Sequence, residues 1–490
     1  MESWPLVADR RGAKPAVMAA PSWLKGCCLA VVFIVFVPPA GAGAPPQPQP
    51  GESESGLRAA EACYEQKQYR QAERILKGIL EKTPRHYAGN EIMALSLTAE
   101  GRDSAARSFF QTAAEAAPSS AIARANFAAN LARLHENPLA EAEFAAALRL
   151  EPGNYEINHN FGEFYIALGQ LAKAVPLLKT AQKVRADAYA NGYDLALAEL
   201  KSGMLGDADS QVRALLKLRE TAELHSLLGD ISERRGEFVE AAAELQRAAQ
   251  MEPGEDHLFD WGAELLRHQT LDPAREVFTH GAGLYPRSWR MLVGLGVAQY
   301  LSGLNDPAAE SFCRAIDLDP ADARPYFFLA RVRNISAPVA AQASLRFQKY
   351  IEVQPASAQA RYYYAMSLLN WPTGGDAPDT AKIESLLRAA LRLAPRMAEA
   401  HLQLGILYTQ QHKTPEAIAE LQQAVEDDPG LETAHYRLGQ ALMLSGHRDR
   451  GRNELAIWSR LHSHQDTDAE REHAQILQFS YTRQGPGARR

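Results

Sequence analysis

The chain has 490 residues, 46% hydrophobic, 23% charged and 8% aromatic, a balance that excludes a disordered tract and predicts a folded protein. Lys plus Arg number 52 against 59 for Asp plus Glu, and the net charge of −7 comes with no basic stripe, which argues against nucleic-acid binding. This length exceeds one ordinary domain unless the fold grows by repetition.

Residues 1–44 read as a signal peptide or anchor. Arg10, Arg11, Lys14 and Lys25 precede an apolar run from Cys27 to Val37, and the small residues Ala40 to Ala44 follow. Basic region, short apolar core and small-residue cleavage site form a secretory pattern. The run of eleven falls short of the ~20 residues that span a bilayer. An uncleaved anchor over residues 27–44 is the alternative, and the one expected route to a membrane. Cys27 and Cys28 stand before the apolar run, whereas a lipidated cysteine follows it. The expected location is periplasmic or secreted. Residues 45–55, PPQPQPGESES, form a solvated Pro-rich linker. Past the signal only Cys63 and Cys313 remain, far apart in sequence, and both read as small packing residues.

Residues 56–462 are periodic. Pro84, Pro118, Pro152, Pro253, Pro286, Pro320, Pro355, Pro395 and Pro429 recur mostly 33 to 35 residues apart, with one gap of 40 and one of three units. A fixed period near this length marks stacked repeats, and twelve are expected, starting near 53, 87, 121, 155, 189, 222, 255, 289, 323, 358, 398 and 432. The eighth place of each is small, as in Gly162, Gly229, Gly262, Gly296, Gly405 and Gly439. The twentieth is often Ala, and the twenty-fourth is large and apolar (Phe110, Phe144, Leu178, Phe278, Leu421). Small residues let paired helices approach closely. Gly101, Gly169, Gly203, Gly236, Gly303 and Gly446 suit a left-handed turn after the first helix, and the prolines close the second.

These signatures resemble the tetratricopeptide repeat. The resemblance implies an all-α, helix–turn–helix solenoid coiled into a right-handed superhelix. It also implies a groove lined by places two, five, six, nine, twelve and thirteen of each repeat, where a protein or extended peptide lies. In repeats nine and ten those places hold Phe327, Phe328 and Arg331, then Tyr362, Tyr363, Met366 and Asn370. Exposed aromatics beside a guanidinium suit a binding hot spot. Asn126 and Asn160 share the sixth place in adjacent repeats, with Asp194 next, and two such amides can clasp a peptide backbone. The paired basic clamp of the family's chaperone-binding members is missing from the first repeats. An insertion at Trp371 to Asp376 interrupts repeat ten.

Residues 463–490 read as a C-terminal capping helix and tail, with an amphipathic stretch near 467–481. His462, His464 and His473 fall in this polar end and read as solvated, not as a metal site. The chain contains no GxxxxGK[ST], HExxH, GxSxG or CxxC, so neither an enzyme nor a cofactor is expected. The resulting expectation is an exported, non-enzymatic scaffold holding a protein or peptide. The alternative is an accessory subunit of an envelope assembly or polysaccharide export machine, since an aromatic groove also stacks sugars.

Overall fold

Each expected repeat start coincides with the start of a helix, the first of them one residue early. The structure, a computed structural model, describes residues 52–371 and 379–464. The expected signal segment, most of the 371–376 insertion and the 467–481 helix lie outside the described residues. The helices run in pairs, one pair per repeat. They are α1 (Glu52–Glu65) and α2 (Tyr69–Lys82), α3 (Tyr87–Ala99) and α4 (Asp103–Ala116), α5 (Ala121–Arg133) and α6 (Asn137–Leu150), α7 (Tyr155–Ala167) and α8 (Leu171–Val184), then α9 (Tyr189–Lys201) and α10 (Leu205–Leu218). These five repeats form one compact body up to Glu220.

A second compact body begins at Thr221 and holds seven repeats. Its pairs are α11 (Ala222–Arg235) and α12 (Phe238–Met251), α13 (Glu255–Arg267) and α14 (Leu271–Leu284), α15 (Trp289–Leu301) and α16 (Asn305–Leu318), α17 (Ala323–Leu329) and α18 (Ala337–Val353). They continue with α19 (Ala358–Asn370) and α20 (Thr380–Leu393), α21 (Ala398–Gln410) and α22 (Thr414–Asp427), then α23 (Glu432–Leu444) and α24 (Arg448–His464). No described helix is long and apolar enough to cross a membrane.

The prolines act one residue after the helix. Thr83 before Pro84 has φ −136° and ψ 79°, and Asp428 before Pro429 has φ −136° and ψ 93°, extended values that a following proline favours. The proline carbonyl has a second use. Side chains at the fourth place of the next repeat donate to it: Asn90 to Pro84, Arg124 to Pro118, Asn158 to Pro152 and Tyr326 to Pro320. His401 and His435 reach Pro395 and Pro429 through Nε2. These six turns are thereby tied to the helices they launch.

Packing follows the small-to-large plan. Phe278 is fully buried and lies between Gly262 of its own repeat and Gly294 of the next. Burying such a ring contributes about 1.5–3 kcal/mol. The six glycines expected after the first helix all have positive φ, but Lys67, His135, Gln269 and His412 hold the same place with φ from 54° to 61°. The stack, not glycine, sets that turn. Cys63 and Cys313 are buried free thiols.

Within each body, first helices of successive repeats touch one another, as α5 does α7 and α17 does α19. Repeat nine departs from the plan. Helix α17 has seven residues instead of thirteen, and α18 is lengthened to 17, so the second helices α16 and α18 pack directly together.

Candidate functional site

The shortened helix α17 places its aromatics on opposite sides. Tyr326 is fully buried and stacks on Tyr350 with centroids 4.0 Å apart, and Phe328 is buried and stacked on Phe312 at 5.6 Å. Phe328 therefore belongs to the core, contrary to the groove position expected for it. Phe327 is half-buried and carries the Arg331 guanidinium 3.5 Å from its ring centroid. Arg331 also donates to the Phe327 carbonyl oxygen at 3.1 Å.

Helix α19 completes this surface. Tyr363 meets Phe327 edge-on at 6.2 Å and Tyr362 at 5.9 Å, and all three rings are half-buried, as is Met366. Burial pushes the Tyr363 phenol up to about 12 against the opposing pull of Arg331, and burial raises that of Tyr362 as well. Both hydroxyls are neutral donors at physiological pH. Asn370 is not part of the surface. Its amide donates to the Ala330 carbonyl at 2.8 Å, and the neighbouring Trp371 indole donates to that of Val332 at 2.7 Å. These are carbonyls that lose their helical partners when α17 stops early.

The amide pair in the N-terminal body is also buried. Asn126 and Asn160 are 2% and 3% exposed, and Asn126 donates to Glu91 Oε1 from one repeat back. Neither is an open rung for a peptide. Burial drives the Glu91 carboxyl up to about 7, moderated by the Asn126 hydrogen bond. Two repeats on, α7 and α9 bring His159, Glu163 and Asp194 together, a grouping the sequence reading missed because Asp194 lies on a different helix. Burial, then the Asp194 charge, pushes Glu163 up to about 8, and burial alone takes Asp194 to about 7.

Of the C-terminal histidines, His462 bonds through Nδ1 to Glu432 Oε1 at 2.7 Å, so it docks on the last repeat rather than lying in a free tail. The side chains of His464 and His473 lie outside the described residues.

Paired helices with small eighth places, buried twenty-fourth places and proline-closed turns define a helical-repeat scaffold. The chain carries tetratricopeptide repeats, and its fold is the helix–turn–helix solenoid of that kind. Tetratricopeptide-repeat family models match residues 57–121, 193–256 and 259–323, residues 135–195, and residues 407–446. No curated protein matches the sequence. Among solved structures, PilW, described as a widely conserved type IV pilus biogenesis factor, is 23% identical over 41% of this chain and 94% of its own, with a TM-score of 0.37. YrrB, described as having an unusual peptide-binding site, is 20% identical over 38% of this chain and 96% of its own, with a TM-score of 0.32. Yeast Tom70 is 15% identical over 87% of this chain and 94% of its own, with a TM-score of 0.38.

Proposed function

We propose that this chain is an exported, non-enzymatic scaffold that binds a protein, or an extended peptide of one, on the first helices of repeats nine and ten. The observation that carries the reading is the contiguous set of Arg331, Phe327, Tyr363 and Tyr362, flanked by Met366. Rings held half-buried by the core lose little freedom when a partner covers them, which is the chemistry of binding hot spots. The guanidinium over Phe327 offers donors to carbonyls or carboxylates of the ligand. Export rests on the basic and apolar pattern of residues 10–44.

A photo-crosslinking residue at Met366, compared with one at the exposed Lys349 of α18, tests the site in cells. Adducts to a discrete partner from position 366 alone support it. Equal labelling from both positions, or none from 366, contradicts it. N-terminal sequencing of the mature protein tests export, and an intact Met1 in an unanchored cytoplasmic chain refutes it.

A further inference from the structure

His159 and Glu163 stand one helical turn apart on α7, and Asp194 approaches them from α9. One ligand-type atom from each lies within 4.8 Å of the other two. His159 is 4% exposed, and its protonation pattern follows from a chain of amides. Gln182 donates from Nε2 to the Ala186 carbonyl at 2.8 Å, which turns its Oε1 to Asn191. Asn191 Nδ2 donates to that Oε1 at 2.7 Å and to the Leu178 carbonyl at 3.0 Å. Its own Oδ1 therefore faces His159 Nδ1, 3.1 Å away. An amide oxygen only accepts, so Nδ1 carries the proton. Nε2 is left with a lone pair and stands 3.6 Å from Glu163 Oε1.

Three ligand-type atoms thus converge, and among the described residues no lysine or arginine pairs with them. Glu163 Oε2 is shut off from solvent and has no hydrogen-bond partner. Among the described residues, the one basic group within ion-pairing distance of Glu163 is His159, and with Nε2 unprotonated the two form no ion pair. Arg185, which covers the neighbouring Tyr155 ring, is paired with Glu156 instead. A second cluster, again one histidine and two carboxylates, shows the contrast. Glu233 on α11 and Glu264 on α13 face His268, and there Arg267 pairs with both carboxylates. That cluster contains its own cation.

We propose that His159 Nε2 and the carboxylates of Glu163 and Asp194 bind one divalent first-row transition cation, such as zinc. One imidazole nitrogen and two carboxylates suit such an ion, and its charge cancels both acids. The Asn191 carbonyl on Nδ1 is the outer hydrogen bond that orients a ligating histidine.

The test is calorimetric titration of the chelator-stripped full chain with zinc, with metal analysis after desalting. One zinc per chain is expected, with affinity at least tenfold weaker in the Glu163→Gln, Asp194→Asn double variant and unchanged in Glu264→Gln. Zinc is also expected to raise the melting temperature of the wild type and not of the double variant. His159→Gln provides a second loss-of-binding variant should the double variant fold poorly. Absence of saturable binding overturns the proposal, and so does binding that survives in the double variant, as exposed histidines would give.

Discussion

The Trp371 indole N–H donates to the Val332 carbonyl oxygen at 2.7 Å, joining residues 39 apart in sequence. This bond closes the wound left by α17, whose helical ladder ends at Leu329. Trp371 is 3% exposed and packs on Phe347 at 6.0 Å, so Trp371→Phe keeps the apolar contact and removes the donor. A buried carbonyl left unsatisfied costs about 1–3 kcal/mol. Chemical denaturation of Trp371→Phe is expected to show a loss of that size, and an unchanged midpoint contradicts the structural role.

Gly405 faces Leu421 so closely that a Cβ on it would stand 2.6 Å from Leu421 Cγ and 3.3 Å from the Ala417 carbonyl oxygen. Both contacts are within one repeat, at the eighth, twentieth and twenty-fourth places. Gly405→Leu is expected to cost about 1–3 kcal/mol through overpacking. Gly78→Leu, where nothing lies within 4 Å of the added Cβ, is the control for lost glycine. A melting curve of Gly405→Leu equal to wild type contradicts this packing.

Glu91 makes stability depend on pH. Its folded value, about 7, lies above the ordinary 4.5 because burial disfavours the charge. The protonated form is therefore the one the fold holds well. Its contribution is fully present below about 4.5 and is lost as pH rises through 7. Glu91→Gln keeps an acceptor for Asn126 and carries no charge. The variant is expected to match wild type at pH 4 and to exceed it by roughly 3 kcal/mol at pH 8. Parallel stability–pH curves for the two proteins contradict the assignment. Tyr64 and Tyr87, whose phenols are raised first by burial and further by Glu91, are neutral across this range.

The repeat starts were legible because small eighth places and closing prolines are one-residue signals repeated at a fixed period. The shortening of α17 inside repeat nine was not, since the carbonyls of Ala330 and Val332 are caught by Asn370 and Trp371, 40 and 39 residues on. The fate of Asn126 was hidden for a similar reason: Glu91, which buries it, belongs to the previous repeat. The fourth-place bonds to proline carbonyls escaped because Asn, Arg, Tyr and His all serve there, and no residue type marks the place. Phe327 and Phe328 look alike in sequence. Only the stacking of Phe328 on Phe312 separates core from surface.

The most direct test of the binding surface is selection of a random peptide library on the immobilised full chain. Enriched peptides would then be titrated against wild type and against Arg331→Ala and Tyr362→Ala, Tyr363→Ala variants matched for thermal stability. The account predicts that peptides are enriched over a blank surface and lose at least tenfold in affinity for both variants. No enrichment, or peptides that bind the variants as tightly as wild type, would contradict it.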